Sequence, residues 1–269
     1  MQLTNNIKSI AIGSFDGIHQ GHRALINQVE ALVIIERNSG YLTPGYKRSL
    51  CVKQDCFFYH FDTIKSLHSK EFVEKLQEDF PELETIVVGY DFGFGYKKEG
   101  NTTRLKELFH GKVIIVNEVK SKNISVHSRT IKKYIAQGDI LLVNQLLNRA
   151  YSICGKVVSG QGLGKKELVA TLNLNVYDYH LPKEGVYATR TKIAGRWLNS
   201  VSFLGHRVTT DGSYAIETHV LDKDIGTIEG EAWIEFRDFI RLNRKFKGLE
   251  DLKNQIKIDI KEAKLRLNC

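Results

Sequence analysis

The pattern of apolar residues changes near residue 150, and this change constrains the fold more than any other feature of the sequence. Before residue 150, short apolar runs alternate with amphipathic stretches, whereas after it apolar runs follow one another without a helical pattern between them. Strands that alternate with helices indicate a parallel sheet covered on both faces. Successive strands separated by Gly, Asp and Asn clusters indicate an antiparallel sheet or barrel. We therefore predict an α/β domain over residues 1–150 and a β domain over residues 151–269.

Five strands are predicted in the first domain, with helices between them. The strands are Ile7–Ile12, Leu32–Ile35, Cys56–His60, Thr85–Val88 and Val113–Val116. The stretch Ser69–Phe80 repeats apolar residues at helical spacing, with Ser69 as a candidate N-cap. A helical pair over residues 128–147, broken at Gly138 and Asp139, closes the domain.

The second domain contains strand-like segments and one long terminal helix. The segments are Ile153–Ser159, Gly185–Ile193, Trp197–Phe203, Tyr214–Leu221 and Gly230–Phe239. Gly248–Leu267 is predicted to be helical, because its apolar residues fall on one face.

Composition excludes several classes of protein. The 42% hydrophobic and 26% charged residues of the 269-residue chain are typical of a globular protein and exclude a wholly disordered or fibrous one. The longest aliphatic run, Ala31–Ile35, is far shorter than the roughly 20 residues that cross a bilayer. Polar residues interrupt the N-terminal segment, so no secretion signal is predicted. We expect a cytoplasmic protein without membrane contact.

The net charge of +8 is divided evenly between the two predicted domains, each of which contributes +4. There is no basic tail and no run of Lys or Arg longer than two, so we do not expect a nucleic-acid partner. A protein that binds small anionic molecules explains the excess equally well. The four cysteines form no C-x-x-C pair, and a cysteine metal site or disulfide is not expected.

A glycine-rich segment with two histidines follows the first predicted strand. Residues 13–22 read GSFDGIHQGH and open a helix. Glycines permit a sharp turn and close approach to a ligand, and a helix N-terminus suits phosphate. His19 and His22 are three residues apart and project from one side of a first helical turn. Taken alone, an H-x-x-H pair is more often two solvent histidines, but the full ten-residue pattern favours transfer chemistry on phosphate.

This G-x-F-D-G-x-H-x-G-H string resembles the nucleotidyltransferase signature of the bifunctional riboflavin kinase/FMN adenylyltransferases, the bacterial FAD synthetases. Two further segments of the first domain are similar to motifs of the same family. Residues 88–95, VGYDFGFG, resemble a V-G-x-D-F-R-F-G loop that helps hold flavin and nucleotide, with Gly93 in place of Arg and with Lys97 and Lys98 as possible substitutes. Residues 126–132, VHSRTIK, resemble an S-S-T-R-I-R segment that cradles the triphosphate.

The resemblance implies site residues in the first domain. His19 and His22 are the implied catalytic pair. Implied ligand contacts come from Gly13, Phe15, Asp16, Gly17, Gly21, Asp91, Phe92, Ser128 and Arg129. The stretch 41–53 does not reproduce the Pro-rich segment with which the family contacts flavin, and the region between Asn38 and Cys56 is shorter than in typical members.

Further motifs of the kinase half of the family occur in order in the second domain. The implied phosphate-covering loop contains Gly160, Gly162, Gly164 and Lys165. The family's L-G-F-P-T-A-N string corresponds to residues 167–173, ELVATLN, which keep Thr171 and Asn173 as the implied magnesium and phosphate ligands but lose the Gly and Pro. Oxygen ligands of this type suit Mg²⁺.

The resemblance also assigns roles near the end of the barrel sequence. Residues 216–222, IETHVLD, are similar to the family's E-x-H-L-L-D strand, and Glu217 is the implied general base. From the residues alone, an isolated Glu on an apolar strand is more often simply outward-facing. His219 lies on the same strand face as Glu217. Arg241 is an implied binding residue, in a match to a closing R-x-x-x-K-F pattern.

The resemblance implies a Rossmann-like nucleotidyltransferase domain followed by a six-stranded antiparallel β-barrel with a C-terminal helix. It implies that riboflavin is phosphorylated with ATP and Mg²⁺ to FMN, and that FMN is then adenylylated to FAD. One alternative is an FMN adenylyltransferase whose kinase barrel has degenerated, because residues 167–172 are altered. Another is a non-catalytic flavin-binding or RNA-binding regulator. Partners are expected to be small molecules only, on a monomer or weak oligomer.

Overall fold

A five-stranded parallel sheet forms the centre of the first half of the chain. The structure is a computed structural model that describes residues 6–37, 41–158, 170–207, 212–223 and 225–269. The strands are β1 (Ser9–Gly13), β2 (Ala31–Glu36), β3 (Asp55–His60), β4 (Thr85–Gly89) and β5 (Lys112–Val116). They lie in the order β3-β2-β1-β4-β5, and each neighbouring pair is parallel. The strand order therefore reverses between β1 and β4.

Helices cover both faces of this sheet. They are α1 (Gln20–Ile26), α2 (Phe61–Ile64), α3 (Ser69–Asp79) and α4 (Thr102–Leu108), with 3-10 helices at Gly45–Cys51 and Tyr96–Lys98. A short hairpin of β6 (Lys120–Ser121) and β7 (Ile124–Ser125) follows β5.

Side chains of β1 alternate between the two faces, as the pleat of a strand requires. Ile10 and Ile12 are buried in a cluster with α3 and α4, whereas Ala11 is buried in a second cluster with α1. Two separate cores on one parallel sheet define a doubly covered, Rossmann-like unit. The prediction of this fold class is confirmed.

A closed antiparallel barrel forms the centre of the second half. Its strands are β8 (Tyr151–Val158), β9 (Leu172–Asn175), β10 (Gly185–Ile193), β11 (Arg196–His206), β12 (Tyr214–Val220) and β13 (Glu231–Leu242). They close in the order β10-β11-β12-β9-β8-β13. Two helices precede the barrel, α5 (Ser128–Gln137) and α6 (Ile140–Leu147), and α7 (Leu249–Leu267) follows it.

The last helix packs against the outside of the barrel. Ala263 of α7 is fully buried in a cluster with Val186, Ala188 and Val201 of the barrel strands. The barrel and the C-terminal helix are confirmed, but β9 was not among the segments that periodicity identified. A four-residue strand has too few alternations to be recognised from its sequence.

The chain divides into two compact units, Met1–Ser128 and Arg129–Cys269. Helix α6 belongs with the barrel, since Asn144 donates to the Phe236 carbonyl at 2.9 Å and accepts from the Tyr151 amide at 2.7 Å. The predicted boundary near Ala150 concerns the functional domains and stays a prediction.

The predicted N-cap of α3 is wrong, because Ser69 is the first helical residue and His68 precedes it. Instead, the Glu99 carboxylate accepts from the Ser69 amide at 2.8 Å. A residue thirty positions away therefore satisfies one of the N–H groups at the start of this helix. No helix in the described ranges is long and apolar enough to span a membrane.

Candidate active sites

The loop between β1 and α1 has an unusual backbone conformation. Phe15 and Ile18 both have positive φ, at 47° and 44°, and Gly17 lies at 89°. Side chains other than glycine rarely adopt this region, and surrounding structure must hold them there. Phe15 and Ile18 are each fully buried, so their packing supplies that restraint. Packing therefore holds the backbone of this loop in one conformation, as a turn that binds a ligand requires.

The two histidines of this loop lie against each other. Their ring centroids are 3.6 Å apart with 16° between the planes, which is the side-by-side placement that their spacing predicts. His19 Nδ1 accepts a hydrogen bond from the His22 amide at 3.2 Å and so caps α1. Because Nδ1 of His19 is an acceptor, the ring proton of neutral His19 is on Nε2.

Both imidazoles are uncharged at neutral pH. Burial, followed by the nearby His127, lowers the pKa of His19 to about 3. Burial also lowers the pKa of His22 well below its ordinary value, with His19, Arg48 and His127 acting in the same direction. His22 Nδ1 is buried and has no hydrogen-bond partner among the described residues. Each neutral ring therefore has one N–H group to donate.

Gly21 permits another segment to approach this pair. A Cβ atom there would lie 3.0 Å from the Val126 carbonyl oxygen and 3.1 Å from His19 Cε1. Two residues later along that segment, Ser128 Oγ donates to the Asp16 carbonyl at 2.8 Å. The motif at residues 13–22 and the serine of the motif at residues 126–132 are thus in contact, although more than a hundred residues separate them. Arg129 follows Ser128 in the first turn of α5.

Asp16 supports the loop with its side chain. It is buried, and its Oδ1 accepts from the Leu42 and Thr43 amides at 2.7 and 3.1 Å. Gly13 lies at the end of β1, with the Phe15 ring 3.5 Å from where its Cβ would be. The structure gives Asp16 and Phe15 internal contacts, while their predicted ligand contacts stay predictions.

Arg48 is a buried cation that sequence reasoning missed. Its side chain is fully buried, with Nε donating to the Thr43 carbonyl at 2.8 Å and Nη1 to Glu36 Oε2 at 2.5 Å. Its guanidinium carbon lies 4.6 Å from the centre of the Tyr41 ring. The sequence shows only a Lys-Arg pair in a polar stretch, which is typical of surface, so no signal distinguished this residue.

The predicted loop at residues 88–95 begins where β4 ends. Asp91 is exposed, and Phe92 stacks on Phe94 at a centroid distance of 5.4 Å. A Cβ at Gly93 would lie 3.6 Å from Lys98 Cβ, so Lys98 is next to the position at which the family has Arg. This loop and Gly13 both lie at the carboxyl ends of adjacent parallel strands, where ligands bind in open α/β sheets.

The second candidate site lies on neighbouring strands of the barrel. Glu217 of β12 and Asn173 of β9 are directly opposite each other in the strand register. Both are partly exposed. Thr171 lies just before β9, next to Ala170, whose carbonyl oxygen is 2.8 Å from His219 Nδ1. The structure therefore brings together four residues that the sequence singled out.

Arg207 connects these predicted site residues, and sequence reasoning missed it. Its Nε donates to Glu217 Oε1 at 2.7 Å, and its Nη2 lies 2.7 Å from Asn173 Oδ1 and 2.6 Å from the same Glu217 oxygen. Its Nη1 donates to Ser213 Oγ at 2.9 Å. An arginine after a Gly-His pair at a strand end carries no local signal that identifies its carboxylate partner.

Arg241 makes a structural contact in the barrel. Its Nε and Nη2 form two parallel hydrogen bonds with the buried Asp259 of α7, at 2.8 and 2.7 Å. The bidentate pair attaches the helix to β13. The predicted ligand contact of Arg241 stays a prediction, and Gly160, Gly162, Gly164 and Lys165 lie outside the described residues.

Two family models match successive parts of the chain. The model described as FAD synthetase matches residues 2–38 and 49–130, and the model described as riboflavin kinase matches residues 147–267. These parts correspond to the parallel-sheet unit and the barrel. The chain belongs to the family of bifunctional riboflavin kinase/FMN adenylyltransferases. The gap between the two matched parts of the first model contains Arg48.

Relatives named bifunctional riboflavin kinase/FMN adenylyltransferase align over nearly the whole chain. The protein of Listeria monocytogenes is 28% identical, covering 96% of this chain and 91% of its own length. That of Haemophilus influenzae is 28% identical, covering 97% and 94%. A crystal structure described as that of a macrolide-efflux protein from Streptococcus pneumoniae has a TM-score of 0.84 at 23% identity, covering 97% of this chain and 95% of that one. This likeness concerns the fold alone.

Proposed function

We propose that this protein converts riboflavin to FAD in two ATP-dependent steps, one in each domain. Residues 151–269 phosphorylate riboflavin to FMN, and residues 1–150 join FMN to the AMP part of a second ATP. The observation that carries the proposal is that a riboflavin kinase match and an FAD synthetase match occupy successive parts of one chain. Each part also contains a cluster of polar groups suited to its reaction.

In the kinase step, Glu217 is the general base. It accepts the proton of the terminal ribityl hydroxyl while that oxygen forms a bond to the γ-phosphorus and the bond to the ADP oxygen breaks. The glycines 160, 162 and 164, together with Lys165, cover the phosphates. Arg241, near the end of the last barrel strand, belongs to the binding residues.

Mg²⁺ fits the donors that the second site offers. The Thr171 hydroxyl and the Asn173 amide oxygen would hold it, and hard cations prefer such oxygen ligands. Asn173 is partly exposed and accepts from Arg207 Nη2 through Oδ1, so its amide oxygen, rather than its nitrogen, faces the second site. When bound, Mg²⁺ neutralises charge on the transferred phosphoryl group.

In the adenylyl step, a phosphate oxygen of FMN bonds to the α-phosphorus of ATP and pyrophosphate leaves. Neutral His19 and His22 donate N–H groups to the oxygens on which charge develops. Gly13, Gly17 and Gly21 let the backbone approach the phosphates, while Ser128 and Arg129 contact the triphosphate at the start of α5. Asp91 and Phe92 contribute to the flavin and nucleotide side. These roles come from the motif matches and agree with a buried, rigid loop.

A second candidate is an FMN adenylyltransferase with an inactive kinase barrel. The altered stretch before Asn173 favours it, because it lacks the Gly and Pro of the family's turn. Incubation with riboflavin, ATP and Mg²⁺, followed by chromatography of the flavins, distinguishes the two. We expect both FMN and FAD. Formation of FAD only from supplied FMN would instead establish the second candidate, and no flavin product from either substrate would refute both.

We propose that the protein works in the cytoplasm as a monomer or weak oligomer, with small molecules as its only partners. ATP and flavins are available there without transport. Its positive charge is compatible with anionic substrates in both halves.

A further inference from the structure

Arg207 occupies the centre of the second site without being one of its predicted residues. It follows the last residue of β11, and its amide donates to the Ser213 carbonyl at 2.9 Å. The backbone is thus fixed beside β12, while the guanidinium reaches Glu217 on β12 and Asn173 on β9. Two nitrogens of one side chain therefore link residues of two different strands.

The geometry points to Arg207 as the residue that positions Glu217 and Asn173 for phosphoryl transfer, an inference that rests on the proposed function. Both guanidinium contacts to Glu217 go to the same carboxylate oxygen, Oε1. Among the described residues, no hydrogen bond reaches Oε2. The carboxylate is therefore held by one oxygen and presents the other to a proton donor.

The chemistry of arginine suits this task. A guanidinium remains protonated and donates only, so it does not compete with Glu217 for the substrate proton. For the same reason, the Asn173 amide turns its oxygen, rather than its nitrogen, toward the guanidinium. Its rigid fork fixes two acceptors at once, which a lysine ammonium does not.

The carboxylate of the Arg207–Glu217 pair is partly accessible, which distinguishes this pair from the Arg241–Asp259 pair. The side chain of Arg207 is 17% exposed and that of Glu217 is 25% exposed. A substrate can therefore approach the carboxylate while Arg207 stays in place. In contrast, the Asp259 side chain of the Arg241 pair, on α7, is only 5% exposed.

The test measures riboflavin phosphorylation by Arg207→Met and Arg207→Lys. We expect Arg207→Met to lower kcat about a hundredfold, because a misplaced base loses most of the benefit of orientation, while KM for riboflavin and ATP changes little. Arg207→Lys keeps the charge without the fork and is expected to be intermediate. Adenylylation of supplied FMN should be unchanged.

Arg237→Met is the matched control, because Arg237 pairs with Glu235 at 2.6 Å on β13 of the same barrel. We expect it to keep the wild-type kcat. Melting temperatures of all variants show whether each is folded. A kcat for Arg207→Met equal to that of wild type would overturn the inference, as would an equal loss in the Arg237→Met control.

A double-mutant cycle separates positioning from a general effect. In Glu217→Asp the shortened carboxylate is withdrawn from Arg207, so adding Arg207→Met should cost much less than it does in wild type. An equal cost in both backgrounds would show that Arg207 does not act through Glu217. If the wild-type protein formed no FMN from riboflavin, the proposed kinase function itself would fail, before any Arg207 variant is compared.

Discussion

At the scale of single residues, burial and charge make the first site respond to pH. His19 has a pKa of about 3 in the folded protein, compared with an ordinary value of 6.5. Between these values the unfolded chain binds a proton that the folded protein does not. The stabilising contribution of neutral His19 is therefore complete above pH 6.5 and is lost as the pH falls toward 3.

We predict that, as the pH is lowered, the free energy of unfolding decreases more steeply in wild type than in His19→Asn. The difference in slope should be about 1.4 kcal/mol per pH unit below the ordinary pKa of histidine. Urea unfolding at neutral pH and at about pH 5.5 measures it. The exposed His110, replaced in the same way, is the control and should leave the wild-type slope unchanged. Equal slopes in wild type and His19→Asn would contradict the buried neutral histidine.

At the scale of strands, the barrel interior contains a closed ring of buried hydroxyl groups. Successive oxygens are 2.8–3.0 Å apart, and every member is at most 1% exposed. The ring runs through Thr189, Ser200, Thr191, Thr218 and Ser202, and back to Thr189. Each hydroxyl can donate once and accept once, so the ring satisfies all five without water.

We predict that Thr191→Val destabilises the protein by about 1–3 kcal/mol. Valine keeps the shape of the side chain, but Ser200 and Thr218 each lose a hydrogen-bond partner in a buried position. The measurement is urea unfolding, with the exposed Thr227→Val as the control expected to change stability by less than about 0.5 kcal/mol. A ring variant as stable as this control would show that the hydroxyls are satisfied in another way.

At the scale of helices, the Arg241–Asp259 pair attaches α7 to the barrel. Removing Arg241 leaves a carboxylate that is 5% exposed without its cation. We predict that Arg241→Met costs about 3–5 kcal/mol of stability, whereas the double variant Arg241→Met/Asp259→Leu recovers most of the loss. Thermal or urea unfolding of the three proteins tests this. A double variant no more stable than the single one would mean that the loss comes from packing of the arginine stem.

At the scale of the whole molecule, the proposal gives each domain its own reaction. We predict that His22→Ala lowers FAD formation from FMN by at least about a hundredfold and leaves FMN formation intact, whereas Glu217→Gln does the reverse. A mixture of the two variants should form FAD from riboflavin, because free FMN released by one protein reaches the intact site of the other. Chromatography of the flavins measures both steps. If both variants retained both activities, the assigned roles would be wrong.

Many features of the whole molecule could be predicted from the sequence. Alternation of strands and helices in the first half, barrel strands in the second, and the terminal helix follow from local periodicity, and the structure contains them. The motif at residues 13–22 could also be identified, because its glycines and its two histidines are close together in the chain. The short β9 was not predicted, and the N-cap of α3 is His68 rather than Ser69, with the distant Glu99 accepting from the Ser69 amide.

The sequence by itself determined the order of elements, the family and the positions of His19, His22, Asn173 and Glu217, because these depend on neighbours in the chain. Only the tertiary structure decided what holds them. Arg48 of a 3-10 helix lies in the core and pairs with Glu36 of β2. Arg207 joins β9 to β12 because strand register places Asn173 opposite Glu217. A single sequence contains no local record of that register.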